Sequence, residues 1–322
     1  MRKQTKIRFS IAAFLVLLGC GIFACVMAKL NWDFTKISAM EYETNHYEIK
    51  KTYQNISIVT DTADVVFVPS GDGATTVTCY EQNKQKHSVK VQDGTLTITV
   101  EDTRKWYDYI GINFSTPKIT VSIPEGAYGI LSVKGSTGNV KIPQEMKFHS
   151  LNVAVSTGDV FCGASATEDI QITASTGSIL LENVSAGGLV LNVSTGRVTA
   201  RNAVCDTNVQ ITVSTGKTKL TDVCCNNLIS KGSTGDIVLE KVVAAGSFSI
   251  QRGTGDVKFR ACDAAEIAVE TDTGDVSGSL LSDKVYITKT DTGSVDVPKT
   301  VNGGRCEITT DTGDIRITVE KQ

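Results

Sequence analysis

The sequence predicts an all-β fold class: a single N-terminal transmembrane helix, then an extracellular parallel β-solenoid, β-helix-like, with an irregular β region as its N-terminal cap. Three observations predict it. Thr-Gly recurs at Gly138, Gly158, Gly177, Gly196, Gly216, Gly235, Gly255, Gly274, Gly293 and Gly313, every step 19 or 20 residues, and such a period marks stacked coils. Between these glycines apolar residues alternate with the two-residue period of a strand. Composition agrees: 28 glycines, 41 % hydrophobic and only 6 % aromatic residues suit β structure rich in turns and argue against a helical protein.

Residues 1–8 carry Arg2, Lys3, Lys6 and Arg8, and residues 9–28 run without a charge. About 20 apolar residues cross the hydrocarbon core as a helix, and a basic flank stays in the cytoplasm. Residues 1–8 therefore read as a cytoplasmic tail and 9–28 as a transmembrane signal anchor, with everything after them outside the cell membrane. Two rivals exist. A cleaved signal peptide has a shorter apolar stretch, and Leu17-Leu18-Gly19-Cys20 has the form of a lipobox, in which Cys20 would be lipidated. The apolar run continues through Met27, which a lipoprotein would not need.

Residues 29–47 are polar with scattered aromatics and read as a juxtamembrane stalk. In the N-terminal β region, residues 48–130, Asp93-Gly94 between two alternating runs is the strongest hairpin signal in the chain. Thr60-Asp61-Thr62-Ala63-Asp64-Val65 has the form of the later repeat phrase with Ala63 in place of glycine.

Residues 131–322 hold the solenoid repeats. Apolar residues stand two and four places after each glycine (Val160 and Cys162, Ile179 and Leu181), with Thr218 and Gly278 as exceptions, and three and five places before it (Val153 and Val155, Leu191 and Val193). The inward phase is odd before the glycine and even after it, so no flat strand runs straight through. Glycine takes positive φ without a steric cost, which makes each one a corner. The next apolar position is seven after the glycine (Val184, Ala203, Val223, Val242, Cys262, Leu281), a second phase change, so each coil has three short faces. At the usual strand spacing the rod is on the order of 45–50 Å long.

With those residues in view, the chain resembles the bacterial putative-adhesin family of β-strand-repeat proteins. The resemblance rests on Ser-Thr-Gly-Asp-Val at this spacing, on Ile-Ser-Ile-Val-Thr-Asp-Thr-Ala-Asp-Val from Ile56, on Asp-Gly-Thr-Leu-Thr-Ile from Asp93 and on Ile-Thr-Val-Ser-Ile-Pro-Glu-Gly from Ile119. It implies a surface or envelope-associated protein and brings no catalytic residues.

The candidate chemistry is sparse. A net charge of −3 excludes a basic surface for nucleic acid. Asp272-Thr273-Gly274, Asp291-Thr292-Gly293 and Asp311-Thr312-Gly313 have the letters of an aspartic-protease motif, yet they sit on the repeat register with polar neighbours and read as replacements of Ser-Thr-Gly. Stacked rungs would bring Asp272, Asp291 and Asp311 into a column with Asp275 and Asp314 close by. Like charges so placed repel unless water screens them or Ca²⁺ sits among them; these five are the candidate metal ligands, and no other cofactor is expected. Of nine cysteines, Cys162, Cys205, Cys225 and Cys262 fall on core positions and read as small hydrophobes, although Cys205 and Cys225 share a register that permits a bridge. His46, His87 and His149 read as ordinary surface residues. Trp106, Tyr107 and Tyr109 are the candidate binding aromatics, since such rings combine contact area with a polar end; the alternative is that their segment covers the solenoid's end.

The expectation is a non-enzymatic, membrane-anchored surface protein whose partners are the membrane and cell-wall or envelope components or surface proteins. A signalling or envelope-stress accessory acting through a membrane partner is the alternative. A polysaccharide-cleaving β-helix enzyme is disfavoured, because the repeats carry no insertion that could build a cleft.

Overall fold

The computed structural model describes residues 3–32, 41–106 and 115–320. Helix α1 (Lys3–Lys29) contains a segment, Arg8–Lys29, long and apolar enough to cross a membrane. It ends where Asn31 and Trp32 take positive φ (53° and 57°) and Trp32 N–H donates back to the Met27 carbonyl at 2.8 Å.

Parallel stacking dominates the rest. Ile170–Ala186, Leu189–Cys205 and Asn208–Cys225 pair along almost their whole lengths, so that Gly177 lies on Gly196 and Gly196 on Gly216. Three segments per coil are separated by two corners and a turn. At the first corner every Thr-Gly glycine has φ between 123° and 156°. A Cβ on Gly216 would overlap the Gly196 carbonyl, and the same holds from coil to coil, so the residue is required both by its backbone conformation and by close approach. The second corner is turned by Asn183, Asn202, Asp222, Lys241 and Ala261, all at φ 51–57°. Asn and Asp tolerate this region, while Lys and Ala are held there at a cost. The third lies at residues 187–188, 206–207 and 226, where the strands break, and in the following coil the strand runs on through a register shift between Ala244 and Ser247.

Inside these corners runs one continuous apolar core. Val160, Ile179 and Val198 after the glycines, Ile172, Leu191 and Ile211 before them, and Val184, Ala203 and Val223 beyond the second corner are all buried. Each such valine, leucine or isoleucine contributes roughly 1.5–3 kcal/mol of burial. The expected position Leu281 is a difference: the register shifts after Phe259, so Leu280 stacks on Cys262 and is buried instead.

Both exceptions in the apolar columns have structural causes. Thr218 accepts from Arg252 Nη2 at 3.2 Å, and Arg252 Nη1 donates to the Val213 carbonyl at 2.8 Å. The guanidinium occupies the space that a side chain on Gly232 would fill. Thr218, Gly232 and Arg252, on successive coils, thus form one packed unit, with Thr218 and Arg252 buried. Gly278 stacks on Phe259, with no room for a Cβ against that residue's backbone.

The N-terminal region is more regular than an irregular cap. Its strands are β1 (Tyr42–Ile49), β2 (Asn55–Thr60), β3 (Asp64–Pro69), β4 (Thr75–Gln82), β5 (Gln85–Gln92), β6 (Thr95–Asp102), β7 (Lys118–Ile123), β8 (Gly126–Thr137) and β9 (Val140–Ile142). Strands β2 and β3 form two faces of a coil, with Ala63 where later coils have glycine; they lie between β6 and β7 on one side and β8 and β9 on the other. Beyond that layer β4 pairs antiparallel with β7, β5 with β6, and β1 with β4. The hairpin at Asp93-Gly94 is present, both residues at positive φ (49° and 71°). Of the residues 29–47 expected as a stalk, those from Tyr42 onward belong to β1, and residues 33–40 lie outside the described residues.

At the other end sequence order and spatial order part. Gly304–Thr312 pairs with Val257–Thr273 on one side and Lys284–Thr292 on the other, and Ile315–Val319 lies between Val276–Leu280 and Val295–Asp296. The C-terminal strand is therefore slotted beneath the coil that precedes it in the chain. Lys284–Asp296 is outermost.

Candidate functional site

The aspartate of Ser-Thr-Gly-Asp has a structural use. Asp64 Oδ1 accepts the Asn139 N–H at 2.7 Å, Asn139 Oδ1 that of Asp159 at 2.8 Å, and Asp159 Oδ1 that of Ser178 at 2.7 Å. Near the C-terminal end Asp256 accepts from Asp275 N–H at 3.1 Å, Asp275 from Asp314 at 2.8 Å, and Asp314 from Ser294 at 2.8 Å. Each side chain thus satisfies the backbone donor of the neighbouring coil at the corner, where the phase change disturbs the ladder. Hydrogen bonds from the Ser294 backbone and hydroxyl, with Arg316 nearby, hold the Asp314 carboxyl below the usual carboxylate range.

Of the five acidic residues singled out from the sequence, Asp275 and Asp314 belong to that ladder. Asp272, Asp311 and Asp291 are exposed in a parallel column, in that order, because the last two coils are exchanged. Asp291 pairs with Lys289 at 3.3 Å. Trp106 is 76 % exposed just beyond β6; Tyr107 and Tyr109 lie outside the described residues. Cys162, Cys205, Cys225 and Cys262 are buried free thiols, as are Cys79 and Cys306, while Cys224 is exposed. Desolvation pushes Cys162 and Cys205 up to about 12, so these thiols behave as apolar groups.

His87 departs from expectation. His46 and His149 are exposed, but His87 is only 4 % exposed at the covered end. Cys79 and Glu81 stand two apart on β4 and so share its inner face; His87 reaches the same point from β5 after the tight turn. Glu81 Oε2 accepts the His87 N–H and lies 2.6 Å from His87 Nδ1. Glu81 Oε1 accepts from Asn45 Nδ2 at 2.8 Å, and His87 Nε2 lies 3.0 Å from Thr60 Oγ1. Burial pushes the Cys79 thiol up to about 12, with Glu81 adding to the effect. One ligand atom from each of Cys79, Glu81 and His87 falls within 4.8 Å of the others, and among the described residues this is the group of three or more that could hold a metal ion. Sequence reasoning missed it because isolated residues on two strands give no ligand spacing. The available signal was Glu81 in an inward phase shared with Val77 and Cys79.

Similarity to known proteins fits this architecture. The Toastrack DUF4097 family model matches residues 53–213 and 201–322. No curated protein matches the chain. Among solved structures, a "putative lipid binding protein" from Parabacteroides distasonis is similar, with TM-score 0.51, 18 % identity, and coverage of 75 % of this chain and 98 % of that one. A "putative adhesin" from Bacteroides fragilis gives TM-score 0.41, 16 % identity, and coverage of 86 % and 97 %. At 18 % identity the likeness to the first of these concerns the fold. The family match runs from just before β2 through the solenoid, well over half of the chain, and on that ground the chain belongs to the Toastrack family.

Proposed function

We propose that this protein is a non-enzymatic binding or scaffolding module of the cell surface, held in the membrane by α1 with its solenoid outside, and that it engages envelope or cell-wall components in the manner of an adhesin. The observation that carries this reading is the regularity of the rod. From β8 to Asp296 the coils stack without an inserted lobe, so polar side chains form long exposed ladders over an apolar interior. Such a surface suits repeated weak contacts with an extended or repetitive partner. Arg2, Lys3, Lys6 and Arg8, which precede the uncharged run of α1, support the orientation.

Cys224 offers a direct test of location, because it is exposed while the other thiols of the solenoid are buried. A membrane-impermeant maleimide should label intact cells carrying the wild-type chain and leave Cys224→Ser cells unlabelled. Labelling only after permeabilisation would refute the orientation. Binding is tested by co-sedimentation of the full-length chain, in nanodiscs, with purified peptidoglycan. Enrichment over empty nanodiscs is expected, and its absence on peptidoglycan and on isolated envelopes alike counts against the adhesin reading.

A further inference from the structure

From Cys79, Glu81 and His87 we infer a site for a divalent transition-metal ion, zinc by the chemistry of its donors, built into the strands that cover the N-terminal end of the solenoid. Sulfur, imidazole nitrogen and carboxylate oxygen together are the donor set of zinc, and they do not suit calcium or magnesium, which take oxygen. The three side chains are fully or almost fully buried, and their ligand atoms converge within 4.8 Å.

Two further features separate this cluster from a chance meeting. One is charge. Glu81 is fully buried, and its carboxyl group lies 2.6 Å from His87 Nδ1. A divalent ion bound by one thiolate, one carboxylate and a neutral imidazole is neutral overall, so a low-dielectric site would hold no net charge. The other is the outer ring of hydrogen bonds. Thr60 Oγ1 engages His87 Nε2, and Asn45 Nδ2 engages Glu81 Oε1. Those contacts leave Nδ1 and Oε2 turned inward beside Cys79, the arrangement by which outer partners orient metal ligands.

In the metal-free state His87 Nδ1 and Glu81 Oε2 are hydrogen-bonded across 2.6 Å. Two ligands on a tetrahedral zinc stand about 3.3 Å apart at usual bond lengths, so the pair opens as the ion enters between them. The Cys79 thiol gives up its proton to ligate as thiolate. Binding one M²⁺ thus releases at least that proton, and no electron moves. Three protein ligands leave the fourth tetrahedral position to a water molecule.

The test uses the full-length chain in detergent, stripped with chelator and reloaded with zinc, then with cobalt. One zinc per chain is expected by elemental analysis, with at least about one proton released per ion in weakly buffered indicator solution. Cobalt should give a thiolate charge-transfer band together with the visible bands of a tetrahedral ion. Cys79→Val keeps the core apolar; it should melt within a few degrees of the stripped wild type, bind no zinc and show no thiolate band. Cys306→Val, which removes a buried thiol elsewhere, should behave as wild type. A wild-type chain that retains no stoichiometric zinc, or a cobalt spectrum without the thiolate band, overturns the site and leaves Glu81 and His87 as a buried hydrogen-bonded pair. So does a Cys79→Val chain that still binds one zinc.

Discussion

At the N-terminal end of the solenoid the outer edges of β6 and β7 are paired by β5 and β4, whereas at the C-terminal end Lys284–Thr292 is hydrogen-bonded on one side only. The ends nevertheless share a device. In each, the chain runs out to the outermost layer and returns to the next, so that β2 and β3 at one end and Gly304–Val319 at the other lie between two coils. A terminal strand bonded on both sides resists fraying better than one left on an edge. What differs is the exposed edge itself. One end covers it with antiparallel strands and a buried polar cluster, while the other leaves it open, with Val285, Ile287 and Val295 exposed and Lys289, Asp291 and Asp296 as its exposed charges. Stacking of like coils is therefore one problem, and ending the stack is another.

The largest effect should separate an inner corner from an outer one. Gly216→Ala places a Cβ against the Gly196 carbonyl at φ 140°, with coils on both sides that cannot move. A loss on the order of 3–5 kcal/mol, or failure to fold, is expected in urea titration. Gly293→Ala meets the Gly313 carbonyl at a similar φ, but its coil is outermost and can lift. About 1–2 kcal/mol is expected there. Equal losses would break the comparison.

At the second corner the sign reverses. Ala261 is held at φ 51°, so Ala261→Gly should stabilise by roughly 0.5–1 kcal/mol, read as a rise in Tm. No rise would mean that Ala261 is not strained there.

Asp314 fastens the outermost coil through Ser294. Its folded pKa is depressed, so its contribution is present above the unfolded carboxylate value of about 3.9 and lost as pH falls through the folded value. Asp314→Asn keeps the acceptor oxygen and cannot titrate. Its Tm should match wild type near neutrality and fall less steeply below about pH 4, and an unchanged acid limb would detach Asp314 from acid lability.

Smallest in stability is the open edge. Ile287→Lys should change unfolding free energy by no more than about 0.5 kcal/mol, because Ile287 is 47 % exposed. Light scattering on heating should nevertheless begin at a higher temperature, since charge on an unpaired edge opposes strand addition. An unchanged onset would show that this edge is not where aggregation starts.

Much of the architecture was written locally. The spacing of Thr-Gly, the phase change across it and the second change near Asn183 and Asn202 determined a three-sided coil, because side-chain alternation and positive φ are properties of a few adjacent residues. Asp93-Gly94 determined its hairpin for the same reason, and the uncharged run of residues 9–28 determined an apolar helix by length. Neighbours far apart in the chain left no such mark. The exchange of the last two coils could not be read from repeats that are nearly alike, since any of them stacks acceptably on any other; only the pairing of Val257–Thr273 with Gly304–Thr312 decided it. Arg252, Gly232 and Thr218 looked like separate irregularities until packing joined them. Cys79, Glu81 and His87 became a site only when β4 and β5 closed over β2, because burial and convergence belong to the assembled end of the solenoid.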